Sequence, residues 1–182
     1  FFTFPSISKR EQHPFTISSH PKDDLLKITV KGLGDYTDNL ENKLNRGDQA
    51  IVEGPFGCFS TAYAKEKPQI WIAGGIGITP FLSLAKDMYT NKIDLYWCVN
   101  KQEEAVYKNE LELISSKNPN FTFKIWSSQE SGYLSAAKLE LDNYNKGYLI
   151  CGPAALKENL IKQLSEKGVS SEQIYDEEFA FR

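Results

Sequence analysis

From about Pro68 onward, short apolar segments alternate with segments of helical periodicity, and this alternation restricts the fold more than any other feature. Such a pattern is typical of a parallel β-sheet whose strands are joined by crossover helices. Each of four apolar segments precedes a stretch that favours a helix: "QIWIAG", "IDLYWCV", "FTFKIWS" and "GYLICG". "QIYDEEFAFR" predicts a fifth strand followed by a tail.

The predicted crossover helices differ in length. One extends from Pro80 to about Tyr89, and its apolar positions share one face, namely Phe81, Leu84, Ala85 and Met88. A second helix is expected around "AVYKNELELISS", and a short one at "SAAKLEL". The last is "PAALKENLIKQLSEKG", in which Pro153 stands at the helix start and Gly168 just past its end.

Residues 1–66 predict a β-rich first domain, and residues 67–182 a second, α/β domain. The strand candidates of the first domain are "HPFTISS", "LLKITVKG" and "QAIVEG". In "LLKITVKG", Leu26, Ile28 and Val30 alternate as they would on a strand with one buried face. "DYTDNLENKL" predicts a short helix whose N-cap is Thr37 or Asp35.

Composition excludes several classes of function. The net charge of −3, without a basic stripe, argues against nucleic-acid binding. Three widely spaced cysteines suggest neither a disulfide framework nor a thiolate cluster, and they fit a reducing compartment. Only two histidines are present, His13 and His20, so no metal site is expected. No apolar stretch approaches the roughly 20 residues of a membrane helix, so this piece is expected to be soluble.

The turn in "WIAGGIGITPF" is the first candidate binding site. Gly74, Gly75 and Gly77 let the backbone approach an anion, beyond the carboxyl end of a strand where such sheets bind ligands. Thr79 is expected to cap the following helix and Pro80 to occupy its first turn, which would direct free N–H groups at a pyrophosphate. Tight packing of the turn is an equally good explanation of the glycines.

Six motifs in a fixed order resemble the ferredoxin-NADP reductase superfamily: "HPFTIS", "GDYT", "GPFG", "AGGIGITPF", "CGP" and "EEFAFR". Within it, the first and last motifs are similar to the dehydrogenase domain of NADPH oxidases and ferric reductases, most closely the bacterial oxidases. The resemblance implies an antiparallel flavin-binding β-barrel, here without its first strands, followed by a Rossmann-like parallel sheet with helices on both faces. It implies FAD and NADPH or NADH as cofactors, and haem only in a transmembrane part that this sequence lacks.

The resemblance assigns the flavin to two segments of the first domain. In the first, Thr16 would hydrogen-bond the isoalloxazine, with further contacts from His13, Pro14, Phe15 and Ser18. Core packing is the alternative role for Phe15. In the second, Lys31, Gly34 and Thr37 would bind the pyrophosphate, and an exposed turn is the alternative for this stretch.

The nicotinamide nucleotide would lie across Gly74, Gly75, Gly77, Thr79 and Pro80. The "CGP" motif, comprising Cys151, Gly152 and Pro153, would place Cys151 beside the hydride-bearing carbon, whereas a buried inert cysteine is the alternative.

The 2′ position of the adenosine ribose is assigned to the end of the second strand of the α/β domain. Asn100 stands where many NADPH-dependent relatives carry Arg, and Lys101 only partly replaces that charge. Because no acidic residue follows the strand directly, we expect loose discrimination between NADPH and NADH.

Phe179 resembles the terminal aromatic residue that stacks on the flavin and moves aside for the nicotinamide, with Glu177 or Glu178 nearby. A place in a last strand that alternates Phe179 and Phe181 is the alternative. Thr16, Cys151 and Phe179 are therefore the predicted catalytic residues.

The function implied is hydride transfer from NADPH or NADH to FAD, followed by single-electron release through the haems of a covalently linked transmembrane domain to oxygen, giving superoxide. This domain would lie at the cytoplasmic face of the cell membrane, and oxygen or artificial acceptors would take electrons from the isolated piece. A ferric reductase shares this chemistry, and a non-catalytic nucleotide-binding redox sensor is the alternative from another class. A flavin reductase that feeds an iron–sulfur partner is less well supported because clustered cysteines are lacking.

Overall fold

The computed structural model describes residues 1–64, 67–87, 89–139 and 145–178. Its contacts divide the chain into two compact units, Phe1–Cys58 and Phe59–Arg182. The division lies a few residues before the domain boundary predicted between residues 66 and 67.

The first unit has little regular structure. Strands β1 (Phe2–Thr3) and β2 (Ile51–Val52) form a two-stranded antiparallel sheet. Isolated antiparallel bridges join Phe2 to His13 and Ile17 to Ile28. Helix α1 (Leu40–Lys43) contributes Leu40 to a small core with Phe2 and Phe4.

Two predictions for the first unit are wrong in detail. Leu26 is 54% exposed. The segments "HPFTISS" and "LLKITVKG" pair only through the isolated bridge between Ile17 and Ile28, so the alternation of buried positions does not extend to Leu26. The helix begins only at Leu40 with Asn39 as N-cap, and neither Thr37 nor Asp35 caps it. The Thr37 hydroxyl instead accepts a hydrogen bond from the Leu33 N–H, at 2.9 Å.

The second unit contains a five-stranded parallel sheet, as predicted. Its strands are β3 (Gln69–Gly74), β4 (Ile93–Val99), β5 (Phe121–Ser127), β6 (Gly147–Gly152) and β7 (Ile174–Glu178). The spatial order is β5-β4-β3-β6-β7, with β3 at the centre. These bounds match the apolar segments closely because strands buried on both faces need continuous hydrophobic sequence.

The helices of the second unit are α2 (Thr79–Leu84), α3 (Lys108–Lys117), α4 (Ser128–Ser131) and α5 (Ala154–Glu166). Helix α2 is shorter than the predicted helix, and Met88 of its predicted apolar face lies outside the described residues. The segment "SAAKLEL" forms a single 3₁₀ turn at Ala136–Lys138, and its last two residues also lie outside the described part. Pro153 is the N-cap of α5, with an extended ψ of 145°, so the helix starts one residue later.

Helices cover both faces of the parallel sheet. On one face, Phe81 of α2 and Leu111 of α3 pack with Trp71 of β3. On the other, Leu160 and Leu164 of α5 pack with the alternate residues of the strands, such as Ile70 and Ile72 of β3. The predicted layer arrangement is therefore confirmed.

Helix α5 ends in a Schellman motif. The Val169 N–H donates to the Leu164 carbonyl at 3.0 Å, and the Gly168 N–H donates to the Ser165 carbonyl at 2.9 Å. Val169 and Leu164 are both buried in the same hydrophobic cluster, which completes the motif. Gly168 follows the helix as the sequence predicts.

All three cysteines, Cys58, Cys98 and Cys151, are free thiols. Across the described ranges, no helix is both long enough and apolar enough to span a membrane.

Candidate functional site

The centre of the parallel sheet contains a topological switch point. The chain leaves β3 toward β4 on one side, whereas β6, which pairs with β3 on the other side, is followed by β7 beyond it. In open α/β sheets, ligands bind in the crevice outside the carboxyl ends of the strands at this point. The two strands that flank it end at Gly74 and Gly152.

The glycines at these two strand ends allow a very close backbone approach. A Cβ on Gly152 would lie 2.9 Å from the Gly74 Cα, and a Cβ on Gly74 would lie 2.8 Å from Pro153 Cδ. A Cβ on Gly77 would overlap the carbonyl group of Cys151. Tight packing therefore accounts for Gly74, Gly77 and Gly152, the explanation that the sequence left open.

Gly75 has a different role from its neighbours. Its φ of +53° is strained for residues with a side chain, yet a Cβ there would meet no atom within 4 Å. The Trp97 indole N–H donates to the Gly75 carbonyl at 2.9 Å and so holds the turn from the adjacent strand. The turn is thus fixed in shape and open beside Gly75.

Thr79 does not cap α2, contrary to the sequence prediction. It is the first residue of the helix, it is buried, and its hydroxyl donates to the Ile76 carbonyl at 3.1 Å. A 3₁₀ turn at Gly75–Ile78 leads directly into the helix, so the position of the cap falls on Ile78. Pro80 lies in the first turn, as predicted.

Cys151 is completely buried in the hydrophobic cluster on the α2 face of the sheet. Burial raises the pKa of its thiol well above the ordinary value, and the nearby Glu177 carboxylate raises it further. The neutral thiol form is therefore favoured, which agrees with a positioning role or an inert core residue.

Hydrogen bonds to Asn100 connect the carboxyl ends of β4 and β5. The Asn100 carbonyl accepts hydrogen bonds from the Ser127 hydroxyl at 3.0 Å and the Gln129 N–H at 3.1 Å. The Ser128 hydroxyl donates to Asn100 Oδ1 at 3.2 Å. Asn100 and Lys101 are both exposed at this edge, to which the family resemblance assigns the nucleotide ribose.

The β5 side of this edge has no counterpart among the residues predicted from the sequence. Ser127 and Ser128 carry no motif, and they reach Asn100 because β5 is the neighbour of β4 in the sheet. The order of strands in a doubly wound sheet is the signal that could have identified them.

In the first unit, the predicted flavin segment is held by aromatic stacking. The His13 imidazole lies on the Tyr36 ring, with centroids 3.5 Å apart and an angle of 20° between the planes. The structure thereby brings His13 to the "GDYT" segment. Phe15 packs at the edge of the small core, in line with its alternative role, and Pro14 is exposed.

The two hydroxyls of this segment differ. The Ser18 hydroxyl is engaged, at 3.3 Å from the Lys27 carbonyl and 3.2 Å from Thr29 Oγ1, so Ser18 joins two segments of the unit. Within the part of the chain that the structure describes, no hydrogen bond is recorded for the Thr16 hydroxyl, which is half-buried. Thr16 is thus the better candidate for a ligand contact.

The predicted pyrophosphate segment already uses several of its donors. The Leu33 N–H donates to Thr37 Oγ1, and the Gly34 N–H donates to Asp38 Oδ1 at 3.3 Å. The Thr37 hydroxyl donates in turn to the Gly34 carbonyl at 3.3 Å. In this conformation, Lys31 supplies positive charge, while Gly34 and Thr37 stabilise the turn.

Phe179, the predicted flavin-stacking residue, lies outside the described residues. The last strand before it is described, and Glu177 of this strand pairs with Cys151 in the sheet. Burial raises the pKa of the Glu177 carboxyl, and Lys157 partly offsets that effect.

Both nucleotides fit the residues present. Beside Gly75 the turn leaves open space at a switch point, which suits a dinucleotide. In the first unit, His13 Nε2 is buried and lies 3.9 Å from the Glu11 carboxylate, but it makes no hydrogen bond to the described residues, and a flavin nucleotide would supply polar atoms to such a nitrogen. The features of the two units, each taken by itself, are those expected of a flavin-dependent enzyme that uses a nicotinamide nucleotide.

Comparisons with known proteins agree with this class. The model of the FAD-binding domain family matches residues 1–80, and that of the oxidoreductase NAD-binding domain family matches residues 71–160. Residues 1–160 are thus similar to an FAD-binding domain followed by an oxidoreductase NAD-binding domain, the pair of domains that the sequence resemblance implies. The motif resemblance, the fold class and the two nucleotide cofactors are thereby confirmed.

Two curated relatives show where in the superfamily the similarity lies. Ferric reduction oxidase 3, mitochondrial, of Arabidopsis thaliana is 34% identical over 132 residues, which are 67% of this chain and 18% of the relative. NADPH oxidase 1 of Rattus norvegicus is 32% identical over 126 residues, which are 61% of this chain and 22% of the relative. The chain thus spans about a fifth of the length of either relative.

Solved structures share the fold at low sequence identity. The flavohem-like FAD/NAD-binding domain of nitric oxide dioxygenase from Vibrio cholerae has a TM-score of 0.75 at 22% identity, covering 90% of this chain and 75% of that chain. A ferredoxin NADP+ reductase from Neisseria gonorrhoeae with bound FAD and NADP has a TM-score of 0.72 at 18% identity, covering 90% and 78%.

Proposed function

We propose that this chain is the dehydrogenase domain of a membrane NADPH oxidase, which passes hydride from NADPH or NADH to FAD. The switch point between β3 and β6 is the observation that carries the proposal. There, Gly74 and Gly152 bring two strand ends together, and Gly75 leaves the turn open to a ligand.

Bound FAD supplies chemistry that no side chain has, since it accepts a hydride and releases electrons singly. The chain supplies binding and orientation. Thr16 hydrogen-bonds the isoalloxazine ring of the flavin, and His13 belongs to the same segment of the chain. Lys31 offsets the negative charge of the flavin pyrophosphate. Backbone N–H groups of the Gly75–Ile78 turn bind the nicotinamide nucleotide, and Cys151 packs behind the site as a positioning residue.

In the full-length protein, the electrons continue through haems of a linked transmembrane domain to oxygen and form superoxide, with this domain at the cytoplasmic face. The similarity to NADPH oxidase 1 supports this proposal. The similarity to ferric reduction oxidase 3 favours a second candidate, a ferric reductase with the same dehydrogenase chemistry. Measuring whether the full-length protein forms superoxide or ferrous iron distinguishes the oxidase from the reductase.

The test of the dehydrogenase function is anaerobic reduction of the FAD-loaded chain. Adding NADPH or NADH should bleach the flavin absorbance, with both nucleotides active. Binding of both nucleotides without bleaching would instead favour a non-catalytic redox sensor. Failure to bind either nucleotide would overturn the proposal altogether.

The Thr16 contact is tested by the affinity for FAD. Thr16→Ala should weaken FAD binding about threefold to twentyfold, the range expected for one hydrogen bond at a half-buried site. Thr16→Ser keeps the hydroxyl and should bind FAD nearly as the parent chain does. If FAD affinity fell equally in both variants, the Thr16 hydroxyl would not be a flavin contact.

Phe179 is proposed to stack on the flavin and to yield to the nicotinamide. Replacement by Ala should change the rate of flavin reduction by both nucleotides, measured by stopped-flow absorbance. Unchanged rates with NADPH and with NADH would exclude this role.

A further inference from the structure

The peptide group between Gly75 and Ile76 follows β3 directly, at the switch point of the sheet. Its carbonyl oxygen accepts a hydrogen bond from the Trp97 indole N–H, at 2.9 Å. Trp97 belongs to β4, is only 2% exposed and lies in the same hydrophobic cluster as Trp71. The carbonyl of this peptide group is therefore directed at a buried donor in the neighbouring strand.

The orientation of this carbonyl also fixes the orientation of the Ile76 N–H. In a trans peptide the C=O and N–H groups point in opposite directions, and among the described residues a cis bond occurs only at Gly54–Pro55. The Ile76 N–H therefore points away from the Trp97 indole. The turn is open beside Gly75, where a Cβ would meet no atom within 4 Å. On the side opposite the indole, the peptide group thus presents a hydrogen-bond donor and not its carbonyl oxygen.

Glycine at position 75 makes a reversed peptide group sterically accessible. Gly75 has a φ of +53°, and glycine adopts positive and negative φ about equally well, so no side chain at this position resists rotation of the group. Reversal would exchange the carbonyl oxygen and the N–H, and the negative end of the carbonyl dipole would then repel an anion. The hydrogen bond from Trp97 opposes reversal, because a reversed group would leave a buried indole N–H without its acceptor.

We propose that Trp97 is a positioning residue of the nucleotide site, which keeps the Gly75–Ile76 peptide group oriented with its N–H toward the phosphates of the nicotinamide nucleotide. This inference rests on the proposed function, because it takes the turn after β3 as the place where the nucleotide binds. Trp97 is buried and acts through the backbone of the turn. Since NAD+ and NADP+ share the pyrophosphate, Trp97 should contribute equally to the binding of both.

The test measures binding of NAD+ and of NADP+ to the FAD-loaded 182-residue chain by isothermal titration calorimetry. Trp97→Phe keeps an aromatic ring in the core but removes the indole N–H. It should weaken the binding of both nucleotides by the same factor, about threefold to tenfold, which is the scale of one hydrogen bond. The dissociation constant of FAD should stay unchanged.

Trp71→Phe is the matched control. Trp71 is buried in the same cluster, and its indole N–H donates to the Gln69 side chain at 2.8 Å rather than to the turn. This variant should lose thermal stability as Trp97→Phe does, measured by circular dichroism, yet it should bind both nucleotides like the parent chain. Equal weakening of nucleotide binding by the two variants would show that core packing alone matters, and it would overturn the proposal.

A second variant settles the matter if Trp97→Phe does not fold. Replacement of Trp97 by β-(3-benzothienyl)alanine keeps the shape of the side chain but puts sulfur in place of the N–H. Parent-like affinity of this variant for both nucleotides would overturn the role of Trp97, and so would a loss of affinity for NADP+ alone. If the parent chain binds neither nucleotide, the proposed function itself fails.

Discussion

The α-carbon of Gly77 lies so close to the end of β6 that even one methyl group would collide with backbone there. Gly77→Ala should therefore lower the free energy of unfolding by about 1–3 kcal/mol, as overpacking does in tight cores. Urea unfolding monitored by circular dichroism measures the change.

Gly34→Ala is a suitable control for this prediction, because a Cβ there would meet no atom within 4 Å. Its effect should stay within about 0.5 kcal/mol. Equal effects at the two positions would contradict the close approach described for Gly77.

The three thiols should differ in reactivity. Cys58 is exposed, whereas burial raises the pKa of Cys98 to about 12 and that of Cys151 further still. Because the thiolate is the reactive form, iodoacetamide at neutral pH should modify Cys58 first and Cys151 only after unfolding. Peptide mass spectrometry resolves the sites, and rapid modification of Cys151 in the native chain would show that it is accessible.

Single residues were predicted unevenly from the sequence. The glycines of the β3 turn could be identified because their spacing is local, yet the sequence could not separate packing from binding. The partner of the Thr79 hydroxyl depends on a 3₁₀ turn that has no clear sequence signal. Ser128 lies 28 positions from Asn100, to whose side chain it donates a hydrogen bond, so only the order of strands brings these two residues together.

An ion pair joins α5 to β7, beside the packing of Ile174 against the cluster that contains Leu160. Lys157 Nζ lies 2.8 Å from Asp176 Oδ2, and the exposed fractions of these side chains are 6% and 40%. Asp176→Asn removes one negative charge next to a buried ammonium group, so it should cost about 1–3 kcal/mol of unfolding free energy.

Adding Lys157→Met to that variant should recover part of the loss, since the buried charge is then absent as well. Urea unfolding of the two single variants and the double variant gives the coupling between the sites. A purely additive result would show that the ion pair contributes nothing to the packing of β7.

The parallel strands were the most predictable elements. The ends of each continuous apolar segment mark the ends of a strand, because a strand that is buried on both faces needs apolar residues along its whole length. The strands of the first unit were overestimated, because alternation over a few residues does not determine whether a partner strand is present. The ends of the helices were harder to predict than those of the strands. Helix α2 ends at Leu84 rather than near Tyr89, and no residue near Ala85 is a strong helix terminator that would have indicated this end.

The whole molecule divides into units of very different core size. Residues 59–182 contain two large hydrophobic clusters, one on each face of the sheet, whereas the core of residues 1–58 has three buried hydrophobic side chains. Domains of fewer than about 60 residues bury too little surface to be more than marginally stable.

Residues 59–182, expressed alone, should therefore unfold cooperatively on heating, and residues 1–58 alone should not. Circular dichroism melts of the two fragments provide the measurement. A sharp transition in the short fragment would mean that its small core is sufficient, and that the estimate of its stability is wrong.

The hydrogen bond from Trp97 to the Gly75 carbonyl gives the molecule an internal optical reporter. Any ligand that shifts this peptide group must lengthen or break a bond to the indole, whose emission responds to its polar surroundings. Occupancy of the central crevice should thus change the emission of Trp97, and replacing Trp71 and Trp126 by Phe would leave Trp97 as the sole tryptophan of the chain.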